Sequence, residues 1–304
     1  MDRIAYLLLI VPPLCWAGNI VLARGVIELI PPVAFAFWRW AIAFLILLPF
    51  GWKRAAADWG QVRRHWKIMV FLSLTGITAF NTLLYTGVHT TTAINGALVQ
   101  TAMPALVILI SLVAFGERIT GLQVFGVFFC VVGAALVVLR GDLSTLVHMS
   151  FVRGDLVIGI AVVLYALYSA FLRRRPSIHP MSFLIWTFGI GVAGLIPLYL
   201  AELFFRGGFA LDRNVALSIL YVSTFPSIVA YFCWNRGIDM IGPNRGGLFI
   251  NLLPVFASGL AVVFLGESLR GYHLAGMALI FTGMVLFNRK GSQPIIPRRM
   301  DRSP

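Results

Sequence analysis

The sequence predicts an all-α integral membrane protein: ten transmembrane helices arranged as two inverted five-helix repeats. Three observations carry this. The 304 residues are 60% hydrophobic and 12% charged, about half the charge of a soluble domain, so lipid is the solvent that accepts such a surface. Ten apolar segments follow one another, each near the ~20 residues that a helix needs to cross ~30 Å of hydrocarbon. Residues 95–133 return at 245–283 with an offset of 150: Pro104 matches Pro254, Gly116-Glu117 matches Gly266-Glu267, and Gly121, Gly126 and Gly133 match Gly271, Gly276 and Gly283. A repeat of this kind has to be explained before anything else.

The spans must be helices, because hydrocarbon leaves no partner for an unpaired backbone group. Span 1 covers about 4–23. It has no clear small-residue cleavage site and reads as an uncleaved first span rather than a signal peptide. Span 2 covers about 33–51 after Pro31-Pro32, span 3 about 67–88, span 4 about 94–115 and span 5 about 119–139. Span 6 covers about 155–172, span 7 about 181–201, span 8 about 216–235, span 9 about 244–265 and span 10 about 270–288. The tail, 289–304, has three prolines and mixed charge and reads as disordered.

The modules therefore run over 5–139 and 155–288. The matching extends beyond the opening stretch. Trp16, Ala17 and Asn19 of span 1 correspond to Tyr165, Ala166 and Tyr168 of span 6; Phe35 and Trp38 correspond to Phe183 and Trp186; Asn81, Tyr85 and Gly87 correspond to Tyr231, Asn235 and Gly237. Five spans is an odd number, so the second module enters the membrane from the opposite side, the arrangement that many secondary transporters use for alternating access.

The net charge of +13 raises the question of nucleic acid. Its placement answers it. With the N-terminus inside, 17 basic residues fall on the inner side and 6 on the outer side, with Arg39 alone within a span. That asymmetry is a topology signal: it puts both termini in the cytoplasm and excludes a nucleic-acid partner. Cys15, Cys130 and Cys233 lie singly in apolar runs and read as small buried apolar residues, with no metal or cofactor implied. An intramembrane enzyme would need a constellation such as HExxH, GxSxG or paired acids at depth, and the sequence has none. A non-transporting subunit or sensor would need an added soluble domain. A channel-like facilitator or a multidrug efflux protein stays open as the alternative to an alternating-access exporter.

Two five-span modules, each with Pro, then Gly-Glu, then a glycine-rich last span, resemble the drug/metabolite transporter superfamily, EamA-type branch. The resemblance implies ten helices, a bacterial inner membrane and export of small metabolites or amino-acid-like solutes. It also implies a path between the modules lined by spans 1, 3, 4, 6, 8 and 9. Small multidrug relatives use a membrane-embedded Glu in their first span; span 1 here has no acid, so that cation-exchange mechanism is not carried over.

The residues give their own account of a path. All eleven acids lie at span ends or in loops, which argues against carboxylate-based proton coupling and a cationic solute. Polar and aromatic residues instead mark spans 1, 3, 4, 6, 8 and 9. Trp16, Tyr85, Tyr165, Tyr168 and Trp234 are expected to hold the apolar part of a solute, and Asn19, Asn81, Gln100, Asn235 and Asn251 to orient it by hydrogen bonds. A polar face is too costly against lipid, so it must meet a neighbouring helix or a water-filled path. Arg39 has two readings: a structural arginine that snorkels to the interface or meets a carbonyl, or a cation that attracts a carboxylate or phosphate of the solute. Pro104 and Pro254 are expected to kink their spans. Glu117 and Glu267 are expected to stabilise the N-termini of spans 5 and 10, with a gating salt bridge as the second reading. The glycines of spans 5 and 10 read as a packing surface or as the contact of a homodimer.

Overall fold

A computed structural model of the chain describes residues 2–26, 29–91, 93–117, 119–142, 144–148, 152–265 and 270–289. Glu267 and the tail beyond residue 289 lie outside the described residues. Every regular element among those described is helical. In chain order the main helices are α1 (Asp2–Val26), α2 (Pro32–Ala57), α3 (Trp66–Val88), α4 (Leu98–Phe115) and α5 (Gly121–Val138). The second half supplies α6 (Arg153–Arg174), α7 (Pro180–Arg206), α8 (Arg213–Ile241), α9 (Leu253–Leu265) and α10 (Gly271–Asn288). Eight of these are long and apolar enough to cross a membrane. The apolar part of α1 is the shorter stretch Arg3–Asn19, and α9 has 13 residues.

Local chemistry sets the helix ends. Proline opens α2 and α7, where its missing N–H is not needed. Thr120 and Gln123 form a reciprocal capping box at the start of α5. The Asp212 carboxylate accepts from the Val215 N–H at 2.8 Å and caps α8. The helix of α4 closes on Gly116 in the left-handed region, at φ 66°.

Pro104 and Pro254 do not kink continuous helices. In α4 a turn at Thr101 and Ala102 interrupts the span, and a new helix starts at Met103 with Pro104 in its first turn. In the second repeat a 3-10 segment, Leu248–Leu252, precedes α9, and Pro254 again sits in the first turn. A ring that cannot donate to the preceding turn belongs at the beginning of a helix, so each span breaks and restarts there.

The bundle is assembled by packing each helix on its repeat counterpart or on a reciprocal one. Helices α5 and α10 run antiparallel: a Cβ on Gly126 would lie 2.8 Å from the Gly283 carbonyl oxygen, and one on Gly133 would lie 2.6 Å from that of Gly276. Each glycine thus meets the partner of the other. The ladder expected to serve packing or a dimer is taken up in one chain, leaving Phe125, Phe128 and Phe281 exposed on the outer faces. The same antiparallel crossing joins α2 to α7, where Phe37 stacks on Tyr199 at 4.5 Å and the Trp186 indole N–H donates to the Ala55 carbonyl at 2.9 Å. It also joins α1 to α8, with Leu9 against Gly237, and α3 to α6, with Ile158 against Gly87.

Both α3 and α8 contain a π-helical segment at the same register, Leu74–Thr78 and Thr224–Val229. Pro226 explains the second. It gives no N–H to the preceding turn, and the Ser227 hydroxyl donates to the Val222 carbonyl at 2.7 Å instead.

Candidate functional site

Arg39 leaves α2 for the middle of the bundle and is 2% exposed, so it does not snorkel. Its Nε donates to Ser227 Oγ at 2.6 Å, Nη1 to Tyr85 Oη at 2.7 Å and Nη2 to the Pro226 carbonyl at 3.0 Å. The guanidinium carbon lies 5.0 Å from the Trp40 ring centroid. An arginine of the first repeat is thereby fastened to the π-segment of the second. Carbonyls within the two π-segments serve as acceptors: Pro226 O also takes the Trp16 indole N–H at 3.1 Å, and Gly76 O takes the Tyr231 hydroxyl at 2.5 Å. In both cases the donor comes from the other repeat.

Tyr85 passes its own hydrogen to Asn19 Oδ1 at 3.2 Å, linking α3 to α1. In the second repeat Tyr168 donates to Asn235 Oδ1 at 2.6 Å, linking α6 to α8. The same bond occurs in both halves with its two residues exchanged.

Trp16, Asn19, Arg39, Asn81, Gln100 and Tyr165 meet around a cavity of about 40 Å³, together with Phe80, Leu84, Met103, Tyr231, Ile250 and Leu253. Both repeats contribute to its wall. The space suits water and is far below the several hundred Å³ of a typical metabolite site. Aromatic rings make up much of the wall: Trp16 lies 5.7 Å from Tyr165 and 6.3 Å from Tyr231, centroid to centroid. Asn81 Oδ1 and Tyr165 Oη are buried without a hydrogen-bond partner.

Tyr85, Tyr168, Trp234, Asn235 and Asn251 lie outside this wall. Tyr85 holds Arg39 and Asn19, while Tyr168 and Asn235 hold each other. Trp234 is fully buried behind Trp16, 5.5 Å away. Asn251 sits in the 3-10 segment, 1% exposed, with neither its amide nitrogen nor its oxygen paired.

At the start of α5 the capping is done by Thr120, not by Glu117. The Glu117 carboxylate forms an ion pair with Arg173 at the end of α6 and accepts from Asn244 Nδ2 at 2.5 Å. The Arg173 guanidinium also lies over the Phe115 ring, 4.5 Å from its centroid. This latch joins the two repeats at one end of the bundle. Leu9 of α1 packs on Gly237 and Gly246 near that end, and Phe287 of α10 packs on Gly126. At the other end the Thr91 hydroxyl donates to Asp155, whose other oxygen accepts from the Val152 N–H at 2.9 Å. His89 lies just beyond α3; partial burial, then Arg206, push its pKa below the ordinary 6.5, and Glu202 opposes them.

Sequence reasoning missed Ser227 and Pro226 as the partners of Arg39, and Tyr231 as part of the wall. The signals were present: a Pro-Ser pair in the middle of an apolar span, and Tyr231 at the register of Asn81. The apolar wall residues Phe80, Leu84 and Met103 carry no such signal, since they look like any lipid-facing residue.

Comparison with known proteins agrees with this architecture. Residues 3–139 and 152–289 each match the EamA-like transporter family. The uncharacterized transporter YyaM of Bacillus subtilis (strain 168) is 29% identical over 268 residues, 87% of each chain. A probable terminal-alkyne amino-acid exporter of Streptantibioticus cattleyicolor is 26% identical over 247 residues, covering 80% of this chain and 77% of that one. A probable amino-acid metabolite efflux pump of Escherichia coli (strain K12) is 26% identical over 203 residues, covering 62% and 65%. A solved crystal structure shares the fold with a TM-score of 0.75 at 19% identity, covering 93% of this chain and 97% of that one.

Proposed function

The chain belongs to the EamA-like transporter family, matched over both of its halves, and from that premise we propose an alternating-access exporter of small, amino-acid-like solutes in a bacterial inner membrane. In this reading α1 and the segment leading through α9 cross the bilayer as well, giving ten spans in two inverted repeats with both termini cytoplasmic. The observation that carries it is the central cavity, walled by residues of both repeats and closed to about 40 Å³. The reciprocal antiparallel glycine contacts support the inversion, and the excess of basic residues on one side supports the orientation. The amino-acid character of the solute rests on the names of two relatives.

Rocking of one repeat against the other opens the cavity to each side in turn. The Glu117 latch closes the cytoplasmic side, and its rupture admits solute from the cell. No carboxylate lines the cavity among the described residues, which favours a carrier without carboxylate-based proton coupling. The direct test is export of labelled amino acids from proteoliposomes, with and without a pH gradient. Saturable flux that ignores the gradient is expected. The reading fails if none of the solutes moves faster than through protein-free vesicles.

A further inference from the structure

Three ion pairs lie at the end of the bundle that carries Glu117: Glu117 with Arg173, and Asp239 with Arg175 and Arg236. Among the described residues no carboxylate pairs with Arg39. Its three hydrogen bonds all go to neutral oxygens of Ser227, Tyr85 and Pro226. A guanidinium stays protonated in a protein and carries five N–H hydrogens, so two remain after these three bonds. A buried cation completed only by neutral groups is a costly arrangement in a membrane interior, and such residues mark solute pathways as well as structural contacts.

We propose that Arg39 marks a solute pathway: it is the receptor for a carboxylate, which serves as its counterion while the carrier is loaded. This rests on the transporter reading above and gives it a chemical class. Arg39 borders the cavity, so the remaining N–H hydrogens belong to a group on its wall. Tyr165 Oη, on the same wall and unpaired, supplies a further donor to an anionic head. Trp16, Phe80 and Tyr231 face the body of the solute, which is therefore apolar or aromatic. The charge count separates carboxylate from phosphate. Arg39 is the one basic residue lining the cavity among the described residues, and a single positive charge matches a monoanion. An amino group on the solute meets an amide oxygen, the unpaired Asn81 Oδ1, rather than a carboxylate, so it adds to recognition without being required.

The test uses three solutes of one shape in proteoliposomes: phenylalanine, phenylpyruvate and phenylalaninamide. Phenylalanine and phenylpyruvate are expected to move, and phenylalaninamide to move about 10–100-fold more slowly, the loss that goes with a charge-assisted bond. Phenyl phosphate in excess is expected to leave phenylalanine flux unchanged. Arg39→Gln is expected to lower phenylalanine and phenylpyruvate flux by the same factor and to leave the amide's slow rate where it was. The wild-type ranking needs no variant, so it stands even if Arg39→Gln does not fold. Amide flux equal to that of phenylalanine, inhibition by phenyl phosphate, or full phenylalanine flux in a folded Arg39→Gln protein overturns the carboxylate site and leaves the transporter reading intact. Immobility of all three solutes overturns both.

Discussion

Neutralising Glu117 should unlatch one end of the bundle. Glu117→Gln keeps the shape of the side chain and its acceptor for Asn244, but removes the charge that Arg173 grips. Side-chain exposures of 21% for Glu117 and 23% for Arg173 place the pair between a solvated surface bridge and a buried one. A loss of about 1–2 kcal/mol follows, roughly a tenfold shift toward the form open at that end. The reporter is Met103→Cys, on the cavity wall and 3% exposed in the closed form. Cys15, Cys130 and Cys233 are all buried, so native thiols add little background. A membrane-impermeant maleimide applied from the latch side should label the reporter about tenfold faster in Glu117→Gln than in the parent. Arg173→Gln should match it, and the double variant should gain nothing further, because both changes break one bond. Labelling within twofold of the parent in both single variants would refute the latch.

Three further outcomes are expected. Gly283→Ala drives a methyl group against the Gly126 carbonyl and the backbone of Cys130, at a cost of about 1–3 kcal/mol in a thermal melt; Gly259→Ala, with nothing within 4 Å, should melt no lower than the parent. Tyr231→Phe leaves the Gly76 carbonyl without its 2.5 Å donor and should destabilise by about 1–3 kcal/mol, while Tyr199→Phe, whose ring stacks on Phe37, should melt like the parent. For His89 the folded pKa lies below the unfolded 6.5, so the unfolded chain binds the extra proton. Its contribution to stability is full above the unfolded value and is lost as pH falls through the folded one. Melting temperature should therefore drop on acidification, and His89→Asn should flatten that drop.

What the residues disclosed in advance was what repeats or what cannot be placed elsewhere. The glycine ladder announced close helix contacts, and a lone arginine in a span announced a buried charge, because both follow from the local string. The prolines were legible as interruptions but not as restarts: a break needs a non-helical lead-in, and Thr101 and Leu248–Leu252 look helical by composition. The π-segments were not legible, since the acceptors they present make sense only with Trp16, Arg39 and Tyr231 opposite. The Glu117 ion pair was legible only as a second reading: its partners are 56 and 127 residues away, and a helix start only four residues on offered a nearer explanation.

The exchanged tyrosine–asparagine pair has a consequence for ancestry. A freshly duplicated module would carry the same residue at each matching position, yet Asn19 answers to Tyr168 and Tyr85 to Asn235. Getting from identical copies to this state takes two substitutions, both in one copy or one in each. On either route two tyrosines or two asparagines faced each other at some stage, and either combination can still share a hydrogen. The bond could thus survive each step while its chemistry turned round. Donor and acceptor sit on different helices in the two copies, yet each half keeps its own pair: Asn19 and Tyr85 both belong to the first module, Tyr168 and Asn235 to the second. The bond is thus a property of each module on its own, kept through divergence while the helix that donates it changed.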